Sequence, residues 1–166
     1  MAKNSNILII EDNETFSLLI THYLKNNLPS SHVFVENSGM KAIETIHRLN
    51  PAVVVLDYYL DEQLSAKDVM IAISDMKPIP HVILLSTITD ESERLEIMKM
   101  GVGEFIPKSN ESMYDLAKLI QEHLNGRNEN INSNTVSTSP LIKNLAIGGL
   151  FVLVLILVFF LLSRMD

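Results

Sequence analysis

Short apolar runs and amphipathic segments alternate five times along residues 1–124. Three of the apolar runs are continuous and rich in Val and Ile, as in strands that are buried on both faces of a parallel sheet. The runs predict strands at 6–10, 33–35, 53–56, 82–85 and 104–106. The segments that follow them predict helices at 14–27, 39–50, 66–76, 91–100 and 111–124. This order predicts an α/β fold: a doubly wound, five-stranded parallel sheet with right-handed crossovers.

The first predicted helix illustrates the amphipathic pattern. Apolar side chains recur in it at intervals of three and four residues, which places them on one side of a helix. This apolar face consists of Phe16, Leu19, Ile20, Tyr23 and Leu24.

A different pattern begins near the C-terminus. Residues 145–162 carry no charge and no hydrogen-bonding side chain. As a helix they would span about 27 Å, close to the roughly 30 Å hydrocarbon core of a bilayer. We therefore predict a transmembrane helix at 141–163 and a short tail at 164–166. Residues 125–140 are rich in Asn, Ser and Thr, and predict a flexible linker between this helix and a domain at 1–124.

The N-terminus does not have the pattern of a secretory signal, because a short apolar run is stopped by Glu11 and Asp12. The predicted topology is therefore a tail anchor in a single-pass membrane protein. The charges that flank the apolar segment are too few to fix its orientation. A short C-terminal end is easier to translocate than a folded domain, so we expect the N-terminal domain in the cytoplasm.

Charge and cysteine content narrow the range of functions. The formal net charge is −7 with a pI near 5.2, whereas a protein that coats nucleic acid needs a basic surface to neutralise phosphates. We expect no nucleic-acid partner. The chain has no cysteine, which excludes disulfides, a CxxC redox centre and thiolate metal sites.

Polar residues follow four of the five predicted strands at their carboxyl ends, the edge where such sheets bind ligands. Each has an ordinary alternative role when taken singly: Asp12 or Asn13 could cap the first helix, for example. Their placement together at one edge favours a functional site. The residues are Glu11 and Asp12 after the first strand, Asp57 after the third, Ser86 and Thr87 at the fourth, and Lys108 after the fifth.

The chemistry that fits these groups is phosphoryl transfer to a carboxylate. Clustered carboxylates repel one another unless a hard divalent cation such as Mg²⁺ lies between them. Asp57 would then act as the nucleophile and become an aspartyl phosphate. Lys108 would neutralise the phosphoryl oxygens, and Ser86 would donate a hydrogen bond that forms only when the phosphate is present.

Residues 5–124 resemble the receiver domain of two-component response regulators. The resemblance depends on the segments ILIIEDN, VVVLDYY, VILLST and MGVGEFIPKS. It implies the flavodoxin-like strand order 2-1-3-4-5 and a sensor histidine kinase or phosphotransfer protein as the phosphoryl donor. It also implies signalling by protein contact or action as a phosphate sink, with no enzymatic activity beyond the domain's own phosphorylation and dephosphorylation.

The resemblance assigns a role to each matching residue. Asp57 is implied as the phospho-acceptor, Asp12 as the main Mg²⁺ carboxylate and Glu11 as its outer partner. The main-chain carbonyl of Tyr59 is implied to complete the metal site. Ser86 is implied as the switch hydroxyl, and Phe105 as the aromatic whose rotamer follows the state of that switch. Lys108 is implied as the conserved lysine of the family.

The sequence also departs from the family pattern. Glu11 replaces an aspartate, Ser109 replaces the proline after the lysine, and Thr87 is bulkier than the usual alanine. An FMN site is disfavoured because Glu11 and Asp12 would repel a phosphate at the first strand. An Asp-x-Asp hydrolase is excluded because Tyr59 stands two positions after Asp57. The alternative that stays open is a degenerate receiver that serves as a phosphorylation-independent membrane docking module.

Overall fold

A computed structural model describes residues 5–60, 64–109 and 111–132 of the chain. Within them, five parallel strands form one sheet in the order β2-β1-β3-β4-β5, which confirms the predicted α/β fold and strand order. The strands are β1 Asn6–Ile10, β2 His32–Glu36, β3 Val53–Leu56, β4 His81–Ser86 and β5 Glu104–Pro107. The helices are α1 Glu14–Asn27, α2 Gly39–Leu49, α3 Ala66–Ile73, α4 Glu91–Lys99 and α5 Ser112–Asn132.

The core consists of two apolar layers, one on each face of the sheet. Successive side chains of a strand point to opposite faces, so β1 contributes to both layers. Ile7 and Ile9 pack with residues of α1 and α5, whereas Leu8 and Ile10 pack with residues of α2, α3 and α4. Burial on both faces explains why the central strands are uninterrupted apolar runs.

The apolar face of α1 is narrower than predicted. Ile20 and Leu24 are fully buried, and Phe16 and Tyr23 pack against the same layer, but Leu19 is 51% exposed. Leu19 lies on the same side of the helix as Phe16 and Tyr23, as predicted, but outside the buried part of that face. Each residue turns a helix by about 100°, which places Leu19 at the margin of a face centred on Ile20.

Two helices end away from their predicted boundaries. Helix α3 ends at Ile73 rather than at 76, because the chain turns there through bonds from Ser74 and Met76 to carbonyls one turn earlier. Helix α5 continues to Asn132, so the part of the predicted linker from 125 to 132 is helical. Gly126 costs only about 1 kcal/mol in a helix interior, too little to end a helix that is already nucleated.

No helix in 5–60, 64–109 or 111–132 is both long and apolar enough to cross a membrane. The predicted transmembrane helix at 141–163, the tail at 164–166 and the remainder of the linker at 133–140 lie outside the described residues.

Candidate functional site

Three carboxylates converge at the carboxyl end of the sheet. Glu11 and Asp12 follow β1, and Asp57 follows β3, its neighbour in the sheet. The Asp57 amide donates to the carbonyl of Ile10 at 3.0 Å, which keeps the two strand ends aligned. One oxygen of each carboxylate lies within 4.8 Å of the other two. The three acids predicted to form a site are therefore adjacent.

The carboxylates differ in exposure. Glu11 and Asp57 are 2% and 5% exposed, whereas Asp12 is open to solvent. The side chain of Asn13 caps α1 by accepting from the Phe16 amide at 2.9 Å. Asn13 rather than Asp12 therefore caps the helix, and Asp12 is the exposed member of the cluster.

Lys108 supplies the counter-charge to the two buried acids. Its amide donates to the Ser86 carbonyl at 3.0 Å, so the end of β4 positions it. Its Nζ lies 2.6 Å from Asp57 Oδ2 and 2.7 Å from Glu11 Oε2. The ammonium group also lies 4.8 Å from the centre of the Phe16 ring. The predicted lysine thus bridges two of the three predicted acids.

Burial and charge act against each other on these groups. Burial raises the pKa of Glu11, and the neighbouring Asp57 adds to it, although the hydrogen bond from Lys108 lowers it. Burial lowers the pKa of Lys108, but its bonds to Asp57 and Glu11 outweigh that effect and leave the pKa raised. The lysine is therefore a cation at neutral pH.

Two buried oxygens beside this cluster have no hydrogen-bond partner among the described residues. They are Oδ1 of Asp57 and the hydroxyl of Ser86, which is fully buried. Buried polar atoms are nearly always paired, so unpaired ones mark a place where a ligand or a change of state supplies the partner. Lys108 occupies one Asp57 oxygen and leaves the other free.

The donor set fits a hard divalent cation such as Mg²⁺. Such ions prefer oxygen ligands, and the cluster offers three carboxylates of which Asp57 has an unpaired oxygen. The side chain of Tyr59 is 52% exposed and packs edge-on against Tyr58, with ring centres 5.0 Å apart. The role of the Tyr59 carbonyl stays a prediction.

Phe105 lies on β5, half-buried, beside the strand that carries Ser86. The guanidinium of Arg94 on α4 lies 5.4 Å from the centre of its ring and is bound to both oxygens of Glu91 at 2.6 Å. Arg94 is not among the residues that the sequence predicted for this site. Its only signal in the sequence was the three-residue spacing between Glu91 and Arg94, which is common on exposed helices.

Comparison with known families agrees with this geometry. Residues 7–121 match the family described as the response regulator receiver domain. The chain therefore belongs to this family. The matched residues are the receiver domain of a two-component response regulator, as the sequence motifs indicated.

Curated relatives contain this domain within longer proteins. A protein-glutamate methylesterase/protein-glutamine glutaminase of Rhizobium etli is 30% identical over 105 residues, which cover 63% of this chain and 30% of that protein. The response regulator protein VraR of Staphylococcus saprophyticus is 26% identical over 119 residues, covering 72% of this chain and 56% of that protein. The chain thus spans about a third to a half of the length of these relatives.

Solved structures of receiver domains share the fold. The signal receiver domain of a Luxo repressor protein from Vibrio parahaemolyticus superposes with a TM-score of 0.69 at 22% identity, covering 80% of this chain and 99% of that one. The BeF3-activated N-terminal receiver domain of Klebsiella pneumoniae RstA superposes with a TM-score of 0.58 at 27% sequence identity. The match covers 72% of this chain and 97% of that chain.

Proposed function

We propose that the chain is a membrane-tethered response regulator whose Asp57 accepts a phosphoryl group from a sensor histidine kinase or phosphotransfer protein. The observation that carries the proposal is the state of the Asp57 carboxylate. It is buried, Lys108 holds its Oδ2 at 2.6 Å, and its Oδ1 has no partner among the described residues. One oxygen is fixed and the other is free to act as the nucleophile.

The reaction forms a bond between Asp57 Oδ1 and phosphorus as the bond from phosphorus to the donor's imidazole nitrogen breaks. The released imidazole takes a proton from solvent. Lys108, a cation at neutral pH, stabilises the negative charge that develops on the phosphoryl oxygens. No proton has to leave Asp57, because the carboxylate is the reactive form.

Glu11, Asp12 and Asp57, with the carbonyl of Tyr59, would hold Mg²⁺. The ion would neutralise charge between the donor phosphate and the acidic cluster. Asp12, the exposed member of the cluster, would be the first of the three carboxylates that an entering ion meets.

Ser86 is the group that would detect the product. Its buried hydroxyl gains a partner when the phosphoryl group is present, which favours the arrangement of β4 that brings it close. Leu84 pairs with Phe105 in the sheet, so a shift of β4 is passed to that ring and to Arg94 above it. The signal is then a change in population between two packings of this surface. A partner protein would recognise that surface, or the domain would act as a phosphate sink.

A groove of about 440 Å³ beside Lys108 is suited to the donor protein. It lies between α1 and the start of α5, and the exposed Leu19 is part of it. An apolar surface next to the acceptor lets a donor helix bind while its phosphohistidine faces Asp57. The lining residues are Phe16, Leu19, Tyr23, Lys108, Ser109 and Met113.

The phosphorylation proposal is tested by incubating the protein with acetyl phosphate and Mg²⁺ and measuring the mass of the intact chain. We expect wild type to gain one phosphoryl group and Asp57→Asn to gain none. Asp75→Asn is the matched control, because it makes the same chemical change at an exposed position and should be labelled like wild type. Equal labelling of wild type and Asp57→Asn would leave the phosphorylation-independent docking module as the better explanation.

The tether rests on the apolar residues 145–162 and is tested separately. Deletion of 141–166 should move the protein from the membrane fraction to the soluble fraction while acetyl phosphate still labels Asp57. Continued sedimentation of the truncated chain with membranes would refute the tether and leave the phosphorylation proposal untouched.

A further inference from the structure

Strand β2 is an edge of the sheet, and its outer side is open within the described residues. The His32 amide donates to the Ser5 carbonyl, and the Glu36 carbonyl accepts from the Glu11 amide, so residues 32, 34 and 36 direct their backbone groups toward β1. Backbone groups alternate in direction along a strand. The amides and carbonyls of Val33 and Val35 therefore point outward.

This edge lacks the usual protection against pairing. Natural edge strands are commonly blocked by proline, lysine or a bulge, but β2 is the uninterrupted five-residue segment HVFVE. Phe34 and Val35 are 38% and 39% exposed, and Leu18 of α1 is 68% exposed. Apolar side chains thus flank the open backbone groups on both faces of the sheet.

The sequence of β2 is complementary to itself in the antiparallel direction. If a second copy pairs about a two-fold axis at Phe34, Val33 faces Val35 of the partner, and His32 faces the partner's Glu36. The outward amides and carbonyls of Val33 and Val35 then form reciprocal hydrogen bonds, because both residues fall in the hydrogen-bonded positions of the new ladder. The His32 imidazole can donate to a Glu36 carboxylate, one oxygen of which is already bound by Thr45.

We propose that β2 is a homodimer interface in which two copies pair antiparallel about Phe34, joining two five-stranded sheets into one. Hydrogen-bond complementarity between the His32 imidazole and the Glu36 carboxylate, together with the matching of Val33 to Val35, selects a second copy of this chain over other edge strands. The two Phe34 rings pack against each other at the axis, in a non-hydrogen-bonded pair where side chains are closest. Strand β1 separates β2 from β3, so the Asp57 site stays accessible in the dimer.

Disulfide trapping tests this register directly, because the chain contains no cysteine of its own. In the full chain in mild detergent, Phe34→Cys places two thiols on residues whose Cα atoms are about 4.5 Å apart, within reach of a disulfide. Val35→Cys is the matched control: it is equally exposed, but the two Cα atoms would be roughly 8 Å apart, beyond disulfide range. We expect mild oxidation to give a cross-linked dimer with Phe34→Cys and not with Val35→Cys.

A proline at position 35 tests whether main-chain hydrogen bonds between the two β2 strands hold the dimer together. The Val35 amide points outward, so Val35→Pro removes a donor from the interface and none from the pairing with β1. Adding it to Phe34→Cys should abolish the cross-link, with the circular dichroism spectrum unchanged. Equal cross-linking of the two single cysteine variants, or an unchanged cross-link with proline present, would overturn the proposal. If residues 133–166 of the same chain covered position 34, Phe34→Cys would give no cross-link. That result would also overturn the dimer proposal.

Charge substitution at the axis is a second, independent measurement. Phe34→Lys and Phe34→Glu each place like charges against each other in a homodimer, which should weaken it at least about tenfold. Mixing the two variants should restore dimers by sedimentation analysis, since position 34 meets itself only at a two-fold axis. Failure of the mixture to associate more strongly than either variant alone would refute this pairing.

Discussion

The Nζ of Lys108 lies 2.6 Å from Oδ2 of Asp57, although 51 residues separate them in the chain. The same ammonium group binds Glu11, so a single cation holds two buried acids that would otherwise repel each other. Lys108 therefore stabilises the fold, in addition to the role proposed for it beside Asp57.

Removing this cation should destabilise the domain. In Lys108→Met the carboxylates of Glu11 and Asp57 lose their counter-charge, and breaking such a buried pair costs about 3 kcal/mol. Urea denaturation without divalent ions should show this loss in the free energy of unfolding, and Mg²⁺ should recover part of it. Lys67→Met is the control, because it breaks an ion pair with Glu96, which is far more exposed than Glu11 or Asp57. It should lower the free energy of unfolding much less than Lys108→Met does. An unaltered urea midpoint in Lys108→Met would contradict the structural role.

Removing the unpaired hydroxyl of Ser86 should stabilise the domain, in contrast to the removal of the Lys108 cation. Ser86→Ala removes a buried polar atom that has no partner among the described residues, so the unphosphorylated domain should gain about 1 kcal/mol of stability. The variant should also bind beryllofluoride, a phosphoryl mimic, more weakly in an NMR titration. Ser112→Ala is the contrasting control, because the Ser112 hydroxyl accepts from the Ser109 amide at 2.8 Å and its loss should destabilise. A destabilised Ser86→Ala would show that its hydroxyl is already paired.

The N-terminus of α3 should make stability depend on pH. Asp68 accepts from the Ser65 amide at 2.8 Å and from its hydroxyl at 2.7 Å, and these bonds lower the pKa of Asp68 from its ordinary 3.8. Its stabilisation is therefore present above that ordinary value and is lost as pH falls through the lower folded-state pKa. Urea midpoints of wild type and Asp68→Asn should differ at neutral pH and converge in acid. A difference that stays constant with pH would exclude this source of stability.

Gly103 is required by a neighbouring ring. A Cβ at this position would overlap the imidazole of His81, which also stacks on His123 with ring centres 4.1 Å apart. Gly103 is exposed, but the partly buried ring would have to move, so Gly103→Ala should lower the free energy of unfolding by about 1 kcal/mol. In the His81→Ala background the same substitution should cost much less, giving a measurable coupling in a double-mutant cycle. Additive effects would show that the overlap relaxes elsewhere.

The parts of the fold that the sequence predicted best are the buried strands. The bounds of β1 and β3 match the prediction at both ends, because strands covered on both faces are apolar runs with polar residues at each end. Helix ends were less accurate. The continuation of α5 past Leu124 involves residues with no apolar periodicity, so the sequence carried no signal for it.

The site shows the same division. The site residues after four of the five strands were identified because topology alone places them at one edge of the sheet. The distances between the site side chains could not be predicted from the sequence. The contacts of Lys108 with two acids, and of Arg94 with Phe105, depend on side-chain packing between elements that are distant in the chain. The exposure of Leu19 was missed for the same reason.

The cluster of Glu11, Asp12 and Asp57 with Lys108 carries a formal charge of 1 − 3 = −2. A phosphoryl donor is itself an anion, so this pocket would repel the proposed substrate until an external charge of +2 offsets the imbalance. The proposed reaction therefore requires the phosphoryl donor and a divalent cation to be present at the same time. Under this proposal neither the donor nor the cation is sufficient alone, and the negative charge of Glu11 and Asp12 sets the cation concentration that the reaction would need.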